Sequence, residues 1–246
     1  MNLNHHDQII TTRIIRTFNR FSNFQRIEHL ILIGTIIILL LTGLPQKYRQ
    51  TGFSQQLLST PTMVDSFQNI HHIAAILLII LTLLHITNAI RNISNHSLNA
   101  DIFPNFRDIK DAWHMVKHLL FLTDKKPENN KYNFEQKITY WFIFFGIGIM
   151  GVTGVILWFP ELITRFLPGG LIPASKLAHS SEAIVLLVFI LLWHFYHVHL
   201  ERFNLSIFSG MITEEELKQY HSLEYDRTIS KELPSDPHSE NKGSVN

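Results

Sequence analysis

Cysteine is absent from this 246-residue chain. That one absence excludes a disulfide framework, an iron–sulfur cluster held by the chain itself, a covalently attached c-type haem and a thiol nucleophile. An excess of charge is missing too, because 21 Lys and Arg stand against 20 Asp and Glu. A nucleic-acid binder carries a basic stripe or patch, and nothing of that kind is present. What charge there is avoids long stretches of the chain altogether.

Four such stretches are apolar and almost free of Asp, Glu, Lys and Arg: Ile27 to Leu44, Ile73 to Ile90, Thr139 to Phe159 and Ala183 to Val198. Each approaches the ~20 residues that cross a bilayer core as a helix. A soluble helical bundle shows apolar stripes with polar residues opposite, whereas the run from Ile73 to Leu81 is apolar all round. The expected fold is therefore all-α and integral to a membrane, a four-transmembrane-helix bundle. Arg13, Arg16, Arg20 and Arg26 precede the first span and eight basic residues lie between the second and third, against Lys47 and Arg49 after the first and Arg165 and Lys176 after the third. The positive-inside rule then makes both termini cytoplasmic.

This divides the chain into a cytoplasmic N-terminal segment (1–26), a four-helix membrane domain (27–200) with a cytoplasmic loop (91–137), and a cytoplasmic tail (201–246). Residues 1–26 hold no apolar run or small-residue cleavage site that reads as a removable signal. Within the loop, apolar residues recur at helical spacing from Asp108 to Leu122, which predicts an amphipathic helix on the membrane surface. In the tail, Glu214, Glu215 and Glu216 belong to a short helix followed by disorder. No internal repeat is visible.

Of 15 histidines, eight fall in or beside the spans: His29, His71, His72, His85, His179, His194, His197 and His199. An ionisable side chain at membrane depth is costly, faces the bundle interior and marks function. His71 and His85 are 14 residues apart, about 21 Å along a helix and close to four turns, so they share a face at opposite depths. His179 and His194 are 15 apart, about 22.5 Å. Measured inward from Leu44, His71 and His179, the residues His29, His85 and His194 match in depth. Helices that offer histidine at both depths can clamp two stacked b-type haems, since imidazole suits iron as an axial ligand.

The plainer reading of each histidine is interhelical hydrogen bonding or an interfacial position. It suits His199 at the membrane edge. His72 points about 100° from His71, which suits supporting a ligand better than being one, and is a second-choice ligand. His197 lies 18 residues, five turns, after His179, at headgroup depth, and is a second-choice ligand. Gly146, Gly148 and Gly151 spell a dinucleotide-binding pattern, but inside an uncharged span with no strand before it. With Gly154, they let a helix or a porphyrin approach. His114 and His118 at i,i+4 have no third metal ligand and read as a solvated face.

The chain resembles the membrane cytochrome b subunits of formate dehydrogenases and related hydrogenase and thiosulfate reductase subunits. The residues that carry this are Arg26-x-x-His29, Thr42-Gly43-Leu44, Lys131-Tyr132-Asn133-x-x-Gln136-Lys137, Leu157-Trp158-Phe159-Pro160 and His179, over about residues 20 to 227. Thr42 to Lys47, Ile212 to Leu217 and His221 to Tyr225 are similar also to b-type subunits that accompany periplasmic multihaem cytochromes c. The resemblance implies a dihaem, quinone-reactive subunit. It maps an inner haem to His29 and His194, an outer haem to His71 and His179, and a quinone site to Asn133 and Gln136. Two features depart from it: the additional His85, which replaces His29 or with His197 supports a third haem, and a fourth-helix spacing of 15 where that subgroup has 14.

The function expected is electron transfer between a quinone pool and a periplasmic redox subunit, either a multihaem cytochrome c or an iron–sulfur protein. The setting is a hetero-oligomeric complex of the bacterial inner membrane, with haem b and quinone as cofactor and substrate. Glu135 would carry the proton and Asn133 or Gln136 would hold a quinone carbonyl, against the plainer reading of a polar helix cap. A haem-free anchor for a periplasmic oxidoreductase is the alternative. A transporter with a histidine relay is opposed by the lack of a broken span or inverted repeat.

Overall fold

The computed structural model describes residues 16–95, 102–124, 130–197 and 205–232. In chain order it contains β1 (Thr17–Asn19), α1 (Asn23–Lys47), α2 (Gly52–Leu57), α3 (Pro61–Ser94), α4 (Phe106–Leu119), α5 (Phe134–Trp158), α6 (Pro160–Ile163) and α7 (Leu171–Phe189). A π segment (Ile190–His194) continues α7, followed by α8 (Ser206–Ser209), β2 (Met211–Thr213), α9 (Glu214–Tyr220) and α10 (Ser222–Glu232).

The four apolar runs fall mainly within four helices long and apolar enough to cross a membrane, α1, α3, α5, and α7 with its π segment, with Phe159 just past α5 and Val198 outside the described residues. Each begins before its apolar run, and for α1, α3 and α5 the starting signal is a polar cap. Ser22 accepts from the Gln25 backbone N–H while the Gln25 side chain accepts from the Ser22 N–H, a reciprocal cap five residues upstream of Ile27. Thr60 caps α3 with Pro61 in its first turn, where a missing N–H costs nothing. The 34 residues of α3 therefore reach about 51 Å, well beyond the ~30 Å hydrocarbon core. Outward faces carry exposed apolar side chains such as Leu41, Ile73, Leu83, Val152 and Leu192, as contact with lipid requires.

The helices pack as two hairpins, α1 along α3 and α5 along α7. At one end of the bundle the described chain ends meet. Strands β1 and β2 pair antiparallel, Thr17 with Thr213, Phe18 with Ile212 and Asn19 with Met211. The backbone N–H groups of Arg20 and Phe21 both donate to the Gly210 carbonyl. Gly210 has φ +80°, and a Cβ there would sit 3.2 Å from the Phe21 carbonyl oxygen, so glycine is required. His221, 1 % exposed, donates from Nδ1 to the Asn130 carbonyl at 2.8 Å and accepts at Nε2 from Arg20 Nη2 at 3.0 Å. One side chain thus joins the N-terminal segment, the loop before α5 and the tail. The Tyr225 hydroxyl donates to Glu214, which clamps α10 to α9 and holds the phenol above its usual pKa.

The amphipathic helix is α4, with Phe106, Ile109, Trp113 and Val116 exposed along one face. It is docked at this same end of the bundle. Lys137 Nζ meets Asp108 Oδ1 at 2.7 Å, and Trp141 Nε1 donates to the Ile102 carbonyl at 3.1 Å. Partial burial pushes the neighbouring Asp111 carboxyl up.

Candidate functional site

Among the described residues, four ring contacts cross from one hairpin to the other. At the end away from the chain termini, His71 of α3 faces His179 of α7 with ring centroids 6.4 Å apart, and His72 stacks on Trp158 at 4.1 Å. At the terminal end, His29 of α1 faces His194 of the π segment at 6.2 Å, and His85 of α3 lies beside Tyr140 of α5 at 6.0 Å.

The histidine–histidine spacings can be compared with that of two imidazoles on one metal ion. A metal–imidazole bond of about 2 Å plus ~1 Å from the ring nitrogen to the ring centre, taken on both sides of one ion, puts the centroids about 6 Å apart. Direct hydrogen bonding would bring such rings closer, so both pairs fit one iron between two imidazoles. Among the described residues no group of three or more His, Cys, Asp or Glu gathers to hold a metal ion, which opposes a zinc-type site.

The hydrogen bonds at the first pair engage the same nitrogen of each ring. Thr42 Oγ1 lies 2.9 Å from His71 Nδ1, and Thr153 Oγ1 lies 3.0 Å from His179 Nδ1. With Nδ1 taken on each ring, Nε2 remains for iron. Gly43 and Gly154 give the rings room: a Cβ at either would stand 3.1 or 3.2 Å from Cε1 of the histidine concerned. Of the other glycines in the dinucleotide-like pattern, Gly146 admits Leu186, whose Cδ2 would lie 2.5 Å from an added Cβ, and Gly148 and Gly151 meet nothing. The pattern serves helix approach, not a nucleotide.

The Thr-Gly pair and its histidine occur twice, once per hairpin. Thr42, Gly43 and His29 of α1 lie 111 residues before Thr153, Gly154 and Tyr140 of α5. In α3 the second histidine follows the first by 14 residues, and in α7 by 15, the additional residue being absorbed by the π segment that ends on His194. The hairpins therefore repeat locally, with His29–His194 matched by Tyr140–His85. A sequence comparison misses this because a tyrosine replaces one histidine and a bulge shifts another.

His85 is engaged on both nitrogens, Nδ1 with Glu28 Oε1 at 3.1 Å and Nε2 with the Tyr140 hydroxyl at 3.0 Å. The structure brings it to a carboxylate and a phenol. His197 lies against Trp193 and Tyr196, with centroids 4.6 and 5.2 Å away. His118 closes α4 by bonding the Thr123 carbonyl from Nδ1 at 2.9 Å. His199 lies outside the described residues.

Asn133 and Gln136 form the cap of α5: Gln136 N–H donates to Asn133 Oδ1 at 2.8 Å and Asn133 N–H to Gln136 Oε1 at 3.2 Å. Asn133 Nδ2 also donates to Glu135 Oε2 at 3.2 Å, with both residues buried. The residues that sequence reasoning passed over are Thr153, Tyr140 and His221. Thr153 was legible as a second Thr-Gly pair before a histidine-bearing helix.

Residues 20–214 match the family model described as prokaryotic cytochrome b561. The chain is 25 % identical over 239 residues to a formate dehydrogenase cytochrome b556 subunit of Haemophilus influenzae, covering 95 % of this chain and 91 % of that protein. It is 23 % identical over 211 residues to the cytochrome b556(fdo) subunit of Escherichia coli K12, covering 83 % and 90 %. With the nitrate-inducible cytochrome b556(Fdn) subunit of the same strain, identity is 30 % over 129 residues, 52 % of this chain and 58 % of that one.

Proposed function

Because this chain belongs to the prokaryotic cytochrome b561 family, and so is a multi-pass membrane cytochrome b, we propose that it is a dihaem subunit carrying electrons between a quinone pool and a periplasmic redox subunit. The observation that carries this is the pair of histidine couples, His71–His179 and His29–His194, at 6.4 and 6.2 Å and at opposite ends of the bundle. A haem b held by each couple supplies reversible one-electron transfer, and two at different depths span the membrane.

In this reading His71 and His179 hold the outer haem and His29 and His194 the inner one. His85 stands outside the ligand set, because both its nitrogens are committed to Glu28 and Tyr140. His72 and Trp158 close the outer end by stacking, and His197 packs on Trp193 as a neighbour. Both chain ends face the cytoplasm, as the basic flanks require, in the bacterial inner membrane. The likeness to formate dehydrogenase subunits supports a place in a hetero-oligomeric complex. Since the chain has no cysteine, an iron–sulfur or c-type partner cofactor sits on another subunit.

Quinone chemistry adds protons to electrons, and the terminal end of the bundle holds the groups for both. Gln136, whose Oε1 stays in the cap, would offer its amide Nε2 to a quinone carbonyl. Glu135, held by Asn133 Nδ2, takes the proton at Oε2 from the aqueous side and passes it inward. Asn133 orients both.

The test is a dithionite-reduced minus oxidised spectrum with pyridine haemochrome quantification on purified protein, for wild type, His29→Ala and His85→Ala. Two haems in the wild type, one in His29→Ala and two in His85→Ala are expected. A wild-type chain without haem absorbance would leave a membrane anchor for an oxidoreductase.

A further inference from the structure

The two Thr-Gly pairs do more than make room. We propose that Thr42 and Thr153 are positioning residues that fix the tautomer of His71 and His179 and raise their donor strength, setting the redox potential of the haem between them. The proposal rests on the dihaem reading above.

The reasoning is a count of hydrogens. Thr42 Oγ1 lies 2.7 Å from the Ile38 carbonyl and 2.9 Å from His71 Nδ1. Thr153 Oγ1 lies 2.7 Å from the Ile149 carbonyl and 3.0 Å from His179 Nδ1. Both threonines are buried, at 6 % and 9 % exposure. A hydroxyl has one hydrogen, and a carbonyl oxygen only accepts. If that hydrogen pointed at the ring, two oxygens would face each other at 2.7 Å with nothing between them. It therefore goes to the carbonyl one turn back, and the short Oγ1–Nδ1 contact is made with the ring's hydrogen. Each histidine is the Nδ1–H tautomer, which leaves the Nε2 lone pair as the one that can bind iron.

The consequence is electronic. A ligand imidazole whose second N–H is held by an acceptor is a more basic ligand. The hydroxyl is a better acceptor for donating to its own carbonyl, since linked hydrogen bonds polarise one another. Stronger donation stabilises the more positive, oxidised iron and lowers its potential. Because α1 serves the histidine of α3 and α5 serves that of α7, both ligands of one haem are tuned alike.

The experiment is a potentiometric titration of the full chain, followed in the α band and by low-spin ferric EPR, for Thr42→Val, Thr153→Val, the double variant and both Thr→Ser variants. Each Val variant should keep two haems, raise the midpoint of one haem and shift its EPR signal, with the other haem unchanged. The double variant should shift further, and serine, which keeps the hydroxyl, should restore the wild-type values. If a Val variant loses one haem, its serine counterpart decides: haem and potential retained supports the proposal, and loss with serine as well overturns it. Unchanged potentials and EPR signals in Val variants that keep both haems overturn it while leaving the dihaem function standing. A wild-type chain without haem overturns both.

Discussion

His71 and His179 face each other across the two helical hairpins with ring centroids 6.4 Å apart and planes inclined at 70°. Each ring is held at Nδ1 by a threonine of its own hairpin partner, Thr42 for His71 and Thr153 for His179, and faces the other half of the molecule. Replacing either ring with alanine is expected to cut the pyridine haemochrome yield from two haems per chain to one and to leave the His29–His194 haem titrating as before.

Glycine substitutions should divide by location. A methyl at Gly43 or Gly154 crowds a ligand ring at 3.1 or 3.2 Å, while one at Gly148 meets nothing within 4 Å. Gly43→Ala and Gly154→Ala are expected to cost about 1–3 kcal/mol through overpacking. Gly148→Ala should be neutral. Thermal release of haem, followed by loss of the Soret band, measures the difference.

The π segment predicts a tolerance for deletion. Removing Leu191 lets Ile190–His194 revert to an α-helix and gives His179 and His194 the 14-residue spacing of His71 and His85. That variant should keep both haems. Removing Leu191 and Leu192 together turns His194 by about 100° on the helix, and the haemochrome yield should fall to one.

At the terminal end, His221→Ala strips Arg20 of an acceptor and the Asn130 carbonyl of a donor in a buried place. Leaving such groups unsatisfied costs about 1–3 kcal/mol each. Limited proteolysis should release α9 and α10 from the variant faster than from wild type, with the haem spectrum unchanged.

The four spans were legible because charge is absent from them and an uncharged helix all apolar round its circumference has few homes besides lipid. Their starts were not, since Ser22, Thr60 and Asn133 begin the helices in polar sequence. Depth matching singled out histidines that the structure brings into two facing pairs, His71–His179 and His29–His194, but left His29 and His85 open as inner partners. What separates them is tertiary: Glu28 and Tyr140, 57 and 55 residues from His85, occupy its two nitrogens. The 15-residue spacing looked like a misfit until the π segment accounted for the added residue. The pairing of β1 with β2 is the extreme case, because three-residue strands on either side of four spans carry no periodicity that would announce them.

That pairing also orders events in synthesis. Thr17 leaves the ribosome 196 residues before Thr213, its partner in the sheet. At about 5–20 residues per second, the first strand waits ~10–40 s for the second. Once Ser94 has been made, the first hairpin waits with its leading strand unpaired for the rest of that interval. Closure of the two-stranded sheet is therefore a late step in assembly, followed by the seating of His221 on Arg20 and Asn130, and it marks a chain whose fourth span has already been made.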